Sequence, residues 1–125
     1  MKGKHFILDM YECNTSKIND PIFIDSVLTE AAAIARSTLL DLKLHIFEPQ
    51  GITGFALLAE SHISFHSWPE SGYVAVDIYT CGASTDPAGA ANFIIEKLEA
   101  EKYLIKNVSR YTPEDLVNLS ESITS

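Results

Sequence analysis

Several stretches of this chain alternate apolar and polar residues with a period of two, and that alternation restricts the fold more than any other feature. In 39–47, Leu40, Leu42, Leu44 and Ile46 fall on one side and Asp41, Lys43, His45 and Phe47 on the other. Ile63 and Phe65 repeat the pattern in 62–67, and Val74, Val76 and Ile78 repeat it in 73–81. Residues 4–12 do the same, with Phe6, Leu8 and Met10 set against His5, Ile7 and Asp9. Period two marks a strand with one buried face. Residues 53–60 read as another strand after a turn at Pro49-Gln50-Gly51, and Tyr103–Arg110 as a last one.

Two segments break the pattern. Asp20-Pro21 and Asp86-Pro87 are helix starts, because Asp caps free N–H groups and Pro is tolerated at the first helical position. Ile24, Val27, Leu28, Ala31, Ile34 and Ala35 then keep helical spacing over 21–38, and Ala90, Ala91, Phe93, Ile94 and Leu98 over 87–101. The order strand, helix, several strands, helix, strand predicts an α+β two-layer sandwich: an antiparallel sheet with two helices on one face. The 125 residues read as one domain, 1–125, around one core. The Ser/Glu-rich end after Pro113 reads as mobile. A sheet covered on one side leaves the other to solvent, ligand or another subunit. By alternation that uncovered face holds Phe47, His62, Ser64, His66, Asp77, Tyr79 and Cys81.

Composition narrows the partners. Apolar residues make up 46% and charged residues 21%, which suits a globular protein and argues against disorder. Nine basic against seventeen acidic residues give a net charge of −8, with no Lys/Arg-rich run. That argues against a nucleic acid partner, which requires a basic surface, and mildly favours a cationic small molecule. No apolar stretch has the length of a signal peptide or a membrane span. Cys13 and Cys81 have neither C-x-x-C nor metal-ligand spacing, so a reducing cytoplasm with two free thiols is the simplest assignment.

Reactive side chains concentrate in 60–82: Glu60, Ser61, His62, His66, Glu70 and Cys81. Each has an ordinary reading. A lone serine is a weak nucleophile without a base. His62 and His66, four apart on a strand, stand roughly 13 Å from each other, too far for one metal ion. A lone cysteine is most often a small buried hydrophobe. Phe47 and Trp68 are ordinarily packing residues, and Glu70 a solvated loop carboxylate.

The combination carries a resemblance. The run Glu60-Ser-His-Ile-Ser-Phe-His-Ser-Trp-Pro-Glu-Ser-Gly-Tyr73, with Tyr79-Thr-Cys-Gly82, Phe47-x-Pro49-x-Gly51-x-Thr53-Gly54 and Tyr11-Glu12-Cys13, resembles the prokaryotic S-adenosylmethionine decarboxylases. The resemblance implies a proenzyme that cuts itself between Glu60 and Ser61 into 1–60 and 61–125. Ser61 would attack the Glu60 carbonyl and end as a pyruvoyl group, whose carbonyl forms a Schiff base with the substrate amine and accepts the electrons of decarboxylation. His66 would assist processing, and Thr53, standing where many members have serine, would help. Cys81 would return a proton to the product. Phe47 and His66 would sandwich adenine, and Glu70 would hold the ribose hydroxyls.

No metal is implied, and a homodimer with its site near the subunit interface is. The expected product supplies aminopropyl groups for spermidine. Two alternatives stand beside this reading: a pyruvoyl-dependent arginine or ornithine decarboxylase on the same scaffold, and a non-catalytic regulatory homologue. Phe47 and Glu70 argue against the first, and retention of Ser61, His66 and Cys81 against the second. A generic serine or cysteine hydrolase has no Gly-x-Ser-x-Gly elbow to recommend it.

Overall fold

The computed structural model describes residues 2–117. The chain runs β1 (Lys2–Tyr11), α1 (Pro21–Ile34), β2 (Leu39–Ile46), β3 (Ile52–Leu58), β4 (Ser61–Trp68), β5 (Tyr73–Cys81), α2 (Pro87–Lys97) and β6 (Lys102–Tyr111). The strands form one antiparallel sheet in the order β2-β3-β4-β5-β1-β6. This is the α+β two-layer sandwich that the alternation predicts. Leu8, Met10, Ile63, Phe65, Val76 and Ile78 are buried on one sheet face against Ile24, Leu28 and Ala31 of α1 and Ala90, Ala91 and Ile94 of α2.

Both helix starts form as expected. Asp20 accepts from the N–H groups of Ile22 and Phe23, and Asp86 accepts from that of Gly89. Both helices stop earlier than their apolar spacing suggests. Arg36 (φ 60°) and Glu99 (φ 55°) take the left-handed conformation. Ser37 N–H then bonds Ala32 C=O, and Ala100 N–H bonds Ile95 C=O. That wrapped-back bond satisfies end carbonyls and turns the chain toward the next strand. Close packing of α1 on β3 depends on Gly54, where an added Cβ would lie 2.8 Å from Leu44 and 3.1 Å from Leu28.

Three details depart from the sequence reading. The β2–β3 register shifts between Leu39 and Asp41. This bulge puts Leu39 on the helix side with Leu42 and Leu44, and leaves Leu40, expected there, 60% exposed. Ile46 keeps its parity yet is also exposed. The β3–β4 turn falls at Ala59-Glu60, within the 53–60 expected as strand, and Ser61 opens β4, which was expected to begin at residue 62. Residues 113–117 form a helical turn in which Thr112 donates to Asp115; the remainder of the segment expected to be mobile, 118–125, lies outside the described residues.

Candidate active site

Alternation along β4 and β5 distributes the reactive residues. His62, Ser64, His66 and Trp68, with Tyr73, Asp77, Tyr79 and Cys81, share the face away from the helices, and Phe47 follows β2 beside them. Ser61 does not share it. It is buried, with the parity of Ile63 and Phe65.

At one end of this face lies a cleft of ≈ 310 Å³, lined by Phe47, Gln50, Thr53, His66, Trp68 and Glu70 among others. That is the lower bound for small-molecule pockets. Its two halves come from paired strands, since Thr53 of β3 stands opposite His66 of β4, and Thr53 Oγ1 and His66 Nδ1 share a hydrogen bond of 3.2 Å. Phe47 is positioned by a closed turn: its N–H donates to Gly51 C=O, and the Gly51 N–H donates to Asn19 Oδ1 at 3.0 Å. A ladder of rings runs from the cleft wall. His66 and Trp68 are 6.1 Å apart, Trp68 stacks on Tyr73 at 5.1 Å, and Tyr73 on Tyr11 at 5.5 Å. Tyr73 donates to Asp9 at 2.6 Å, and that bond, with some burial, pushes its phenol up to about 12.

The other end of the sheet holds the remaining groups. The β4–β5 register pairs His62 with Tyr79, so Ser61 and Cys81 lie at this same end of the sheet, Ser61 on the helix-covered face and Cys81 on the bare one. Glu60, immediately before Ser61, adopts a left-handed φ of 60° in the two-residue turn. That conformation is costly for a non-glycine residue, and the Glu60 carbonyl sits in a turn outside the strand ladder. Between the two ends lie His5, His62, Phe55 and Tyr79, with rings 5.5–6.4 Å apart. Burial pulls the His62 imidazole below its ordinary range, the nearby His5 adds to this, and Asp77 opposes it.

Residues 61 and 66 are five apart on one strand, roughly 16 Å at ~3.3 Å per residue. A single chain therefore brings Thr53, His66, Phe47 and Glu70 together, and places Ser61 and Cys81 at the other end of the sheet, without joining the two groups. Sequence reasoning missed Gln50, Trp68 and the Asn19 anchor as parts of the cleft. Trp68 was legible in principle, being two residues from His66 and so on the same face. Asn19 was not, because its partner is 32 residues away. Among the described residues, no three His, Cys, Asp or Glu stand close enough to hold a metal ion, and no helix is long and apolar enough to cross a membrane.

A helix-backed sheet with an aromatic and carboxylate cleft on its bare face, and a thiol at the far end of that face, describes a small α+β enzyme. Residues 4–111 match the S-adenosylmethionine decarboxylase family, and the chain belongs to it. It is 50% identical over 116 residues to the S-adenosylmethionine decarboxylase proenzyme of Prochlorococcus marinus strain MIT 9313, covering 93% of each chain. It is 48% identical to the proenzyme of Synechococcus strain WH7803, covering 98% of this chain and 95% of that one. The crystal structure of adenosylmethionine decarboxylase from Aquifex aeolicus VF5 superposes with a TM-score of 0.82 at 34% identity, over 88% of this chain and 91% of that one.

Proposed function

We propose that this chain is a self-processing decarboxylase of S-adenosylmethionine, one that acts as a pair of copies. The observation that carries the reading is the cleft that Phe47, His66 and Glu70 line together. Such a site suits a purine nucleoside: aromatic faces take the base, and an ionised carboxylate accepts from the ribose hydroxyls. Family membership supplies the reaction, and the relatives' description as proenzymes supports maturation by cleavage.

The residues present fit a pyruvoyl group made from Ser61. Ser61 begins a strand directly after a left-handed residue whose carbonyl is the target. Attack by its hydroxyl oxygen on the Glu60 carbonyl carbon exchanges the amide for an ester. Removal of the Cα proton of residue 61 then expels the Glu60 carboxylate, leaving an unsaturated residue that water converts to the keto group with loss of ammonia. Once formed, the pyruvoyl carbonyl supplies an electron sink that no ordinary side chain offers. The chain's own residues do the rest. His66 with Thr53 moves a proton in processing, Phe47 and Glu70 hold the substrate, and Cys81 donates a proton to the substrate carbon that has lost carbon dioxide.

Proton transfer requires contact at about 3 Å, whereas Ser61 and His66 of one chain are roughly 16 Å apart. The bare face offers the remedy. It exposes Phe55, Leu57, Trp68, Leu104 and Val108 beside its half-buried histidines, an apolar surface that association would cover. A second copy laid against it and turned end for end brings its cleft to the end of the first sheet where β4 begins at Ser61 and β5 ends at Cys81. The two-fold symmetry makes two such sites.

Substrate choice tests the reading. Base stacking on an aromatic ring contributes roughly 1–3 kcal/mol. A hydrogen bond to a charged group contributes about 1.5–3 kcal/mol. Phe47→Ala and Glu70→Gln are each expected to raise KM for S-adenosylmethionine about tenfold or more in a carbon dioxide release assay. A cleaved parent protein that decarboxylates arginine or ornithine and not S-adenosylmethionine would transfer the assignment to those substrates. No feature of the site favours that outcome or a non-catalytic role.

Processing has its own test. The 3.2 Å contact makes the Thr53 hydroxyl the group that orients His66. Thr53→Ser is expected to cut itself at least as fast as the parent, and Thr53→Val, which keeps shape and loses the hydroxyl, at least about tenfold more slowly. Equal rates for all three, read from the fragment pattern over time, would remove Thr53 from the mechanism.

A further inference from the structure

Beside Cys81 stands a phenol to which the reading above gives no role. The Cys81 thiol donates to Tyr79 Oη at 3.3 Å. The two residues are separated by one position on β5 and so project from the same face. The Tyr79 ring is enclosed on several sides. The His5 ring of β1 meets it edge-on at 5.8 Å, the His62 ring of β4 lies 5.8 Å away, and the Arg110 guanidinium of β6 stands 5.7 Å from its centroid. Beneath it the β1 backbone is a glycine. A Cβ on Gly3 would lie 2.9 Å from Tyr79 Oη and 2.9 Å from Arg110 Cβ. The ring thus lies over β1 only because residue 3 has no side chain, and it is held where its hydroxyl reaches the sulfur.

We propose that Tyr79 is a positioning residue for Cys81: its hydroxyl steadies the thiolate that Cys81 becomes on giving up its proton, with the Arg110 charge assisting. This rests on Cys81 being the proton donor. In that step the S–H bond breaks, the proton joins the substrate carbon, and the electron pair remains on sulfur. The phenol, which accepts from the thiol at rest, turns its own O–H to the sulfur and donates. A phenol O–H on a charged sulfur is a stronger bond than a thiol S–H on a neutral phenol, so the pairing favours the state after transfer. Water later reprotonates the sulfur. The phenol must keep its proton throughout, and contact with Cys81, followed by burial, holds Tyr79 above its ordinary range, with Arg110 opposing. The charged or titratable groups facing the pair are His5 on β1, His62 on β4, Asp77 on β5 and Arg110 on β6.

The test reads the thiol directly and does not depend on the cofactor. In the full-length, uncut Ser61→Ala chain, Cys81 alkylation by iodoacetamide is followed against pH by peptide mass, which separates it from Cys13. Burial pushes the Cys13 thiol up to about 11. Adding Tyr79→Phe, which removes only the hydroxyl, is expected to raise the midpoint for Cys81 by about one pH unit. Gly3→Ala, which crowds the ring off β1, is expected to raise it in the same direction. In the self-processed enzyme, Tyr79→Phe is expected to lower kcat about tenfold with KM for S-adenosylmethionine unchanged. An unmoved midpoint in both variants overturns the proposal, as does a raised midpoint with unchanged kcat. A parent enzyme whose activity survives Cys81→Ala would instead sink the proton-donor reading, while a shifted midpoint would still establish the Tyr79–Cys81 contact.

Discussion

Ser61→Ala is expected to remain one uncut chain of 125 residues and to release no carbon dioxide from S-adenosylmethionine. Under the same conditions the parent yields two fragments of nearly equal length. The substitution removes the one oxygen able to attack Glu60 and hardly changes volume at a buried position. The protein should therefore fold as the parent does and fail only chemically. Activity is expected to fall by more than about a thousandfold, since the electron sink is never made. The parent's downstream fragment should lack a free serine amine and should react with hydroxylamine at its new terminus. A parent that decarboxylates while still a single chain would end the pyruvoyl reading.

Two inactive variants are expected to restore each other. If each site takes Ser61 and Cys81 from one copy and Thr53, His66, Phe47 and Glu70 from its partner, Ser61→Ala and His66→Ala damage opposite halves. Produced together in equal amounts, they form mixed dimers in half of all pairings, and each mixed dimer has one intact site and one doubly damaged site. The mixture should therefore show about a quarter of the parent activity, where each variant alone shows almost none. Differently tagged chains, purified through both tags, would raise the recovered fraction to about a half per dimer. A mixture as inactive as its components would mean that each chain builds its site alone, against the roughly 16 Å that β4 puts between the two residues.

Much of this was legible in the sequence, and the exceptions have physical causes. Alternation along 62–67 and 73–81 is a local steric property of strands, so the face shared by His62, His66, Asp77, Tyr79 and Cys81 could be read directly. Asp20-Pro21 and Asp86-Pro87 located both helix starts for the same reason, because a cap acts within three residues. The helix ends were harder to see, since Arg36 and Glu99 take left-handed conformations usually given to glycine. Leu40 was assigned to the wrong side because a bulge resets parity and leaves no mark in an alternating run. The separation of Ser61 from His66 was within reach. The strand rise that keeps His62 and His66 too far apart for a shared metal separates Ser61 from His66 as well, with one more residue between them. The Asn19–Gly51 contact and the place of β1 between β5 and β6 are long-range facts, and no local pattern encodes them.

That placement of β1 bears on what scission leaves behind. A cut at residue 60 assigns β1, α1, β2 and β3 to one product and β4, β5, α2 and β6 to the other. In the sheet, however, β1 is inserted between β5 and β6, with a full ladder on each side, while β3 remains zipped to β4. The two products are thus interleaved like clasped fingers, and neither can leave without melting three ladders. Such a cut would leave all three ladders in place, but it would alter what happens after denaturation. An uncut chain can refold on its own, whereas separated halves must first meet by diffusion, at a rate that falls with dilution. Self-cleavage would turn a fold that one chain can regain into one maintained by never coming apart.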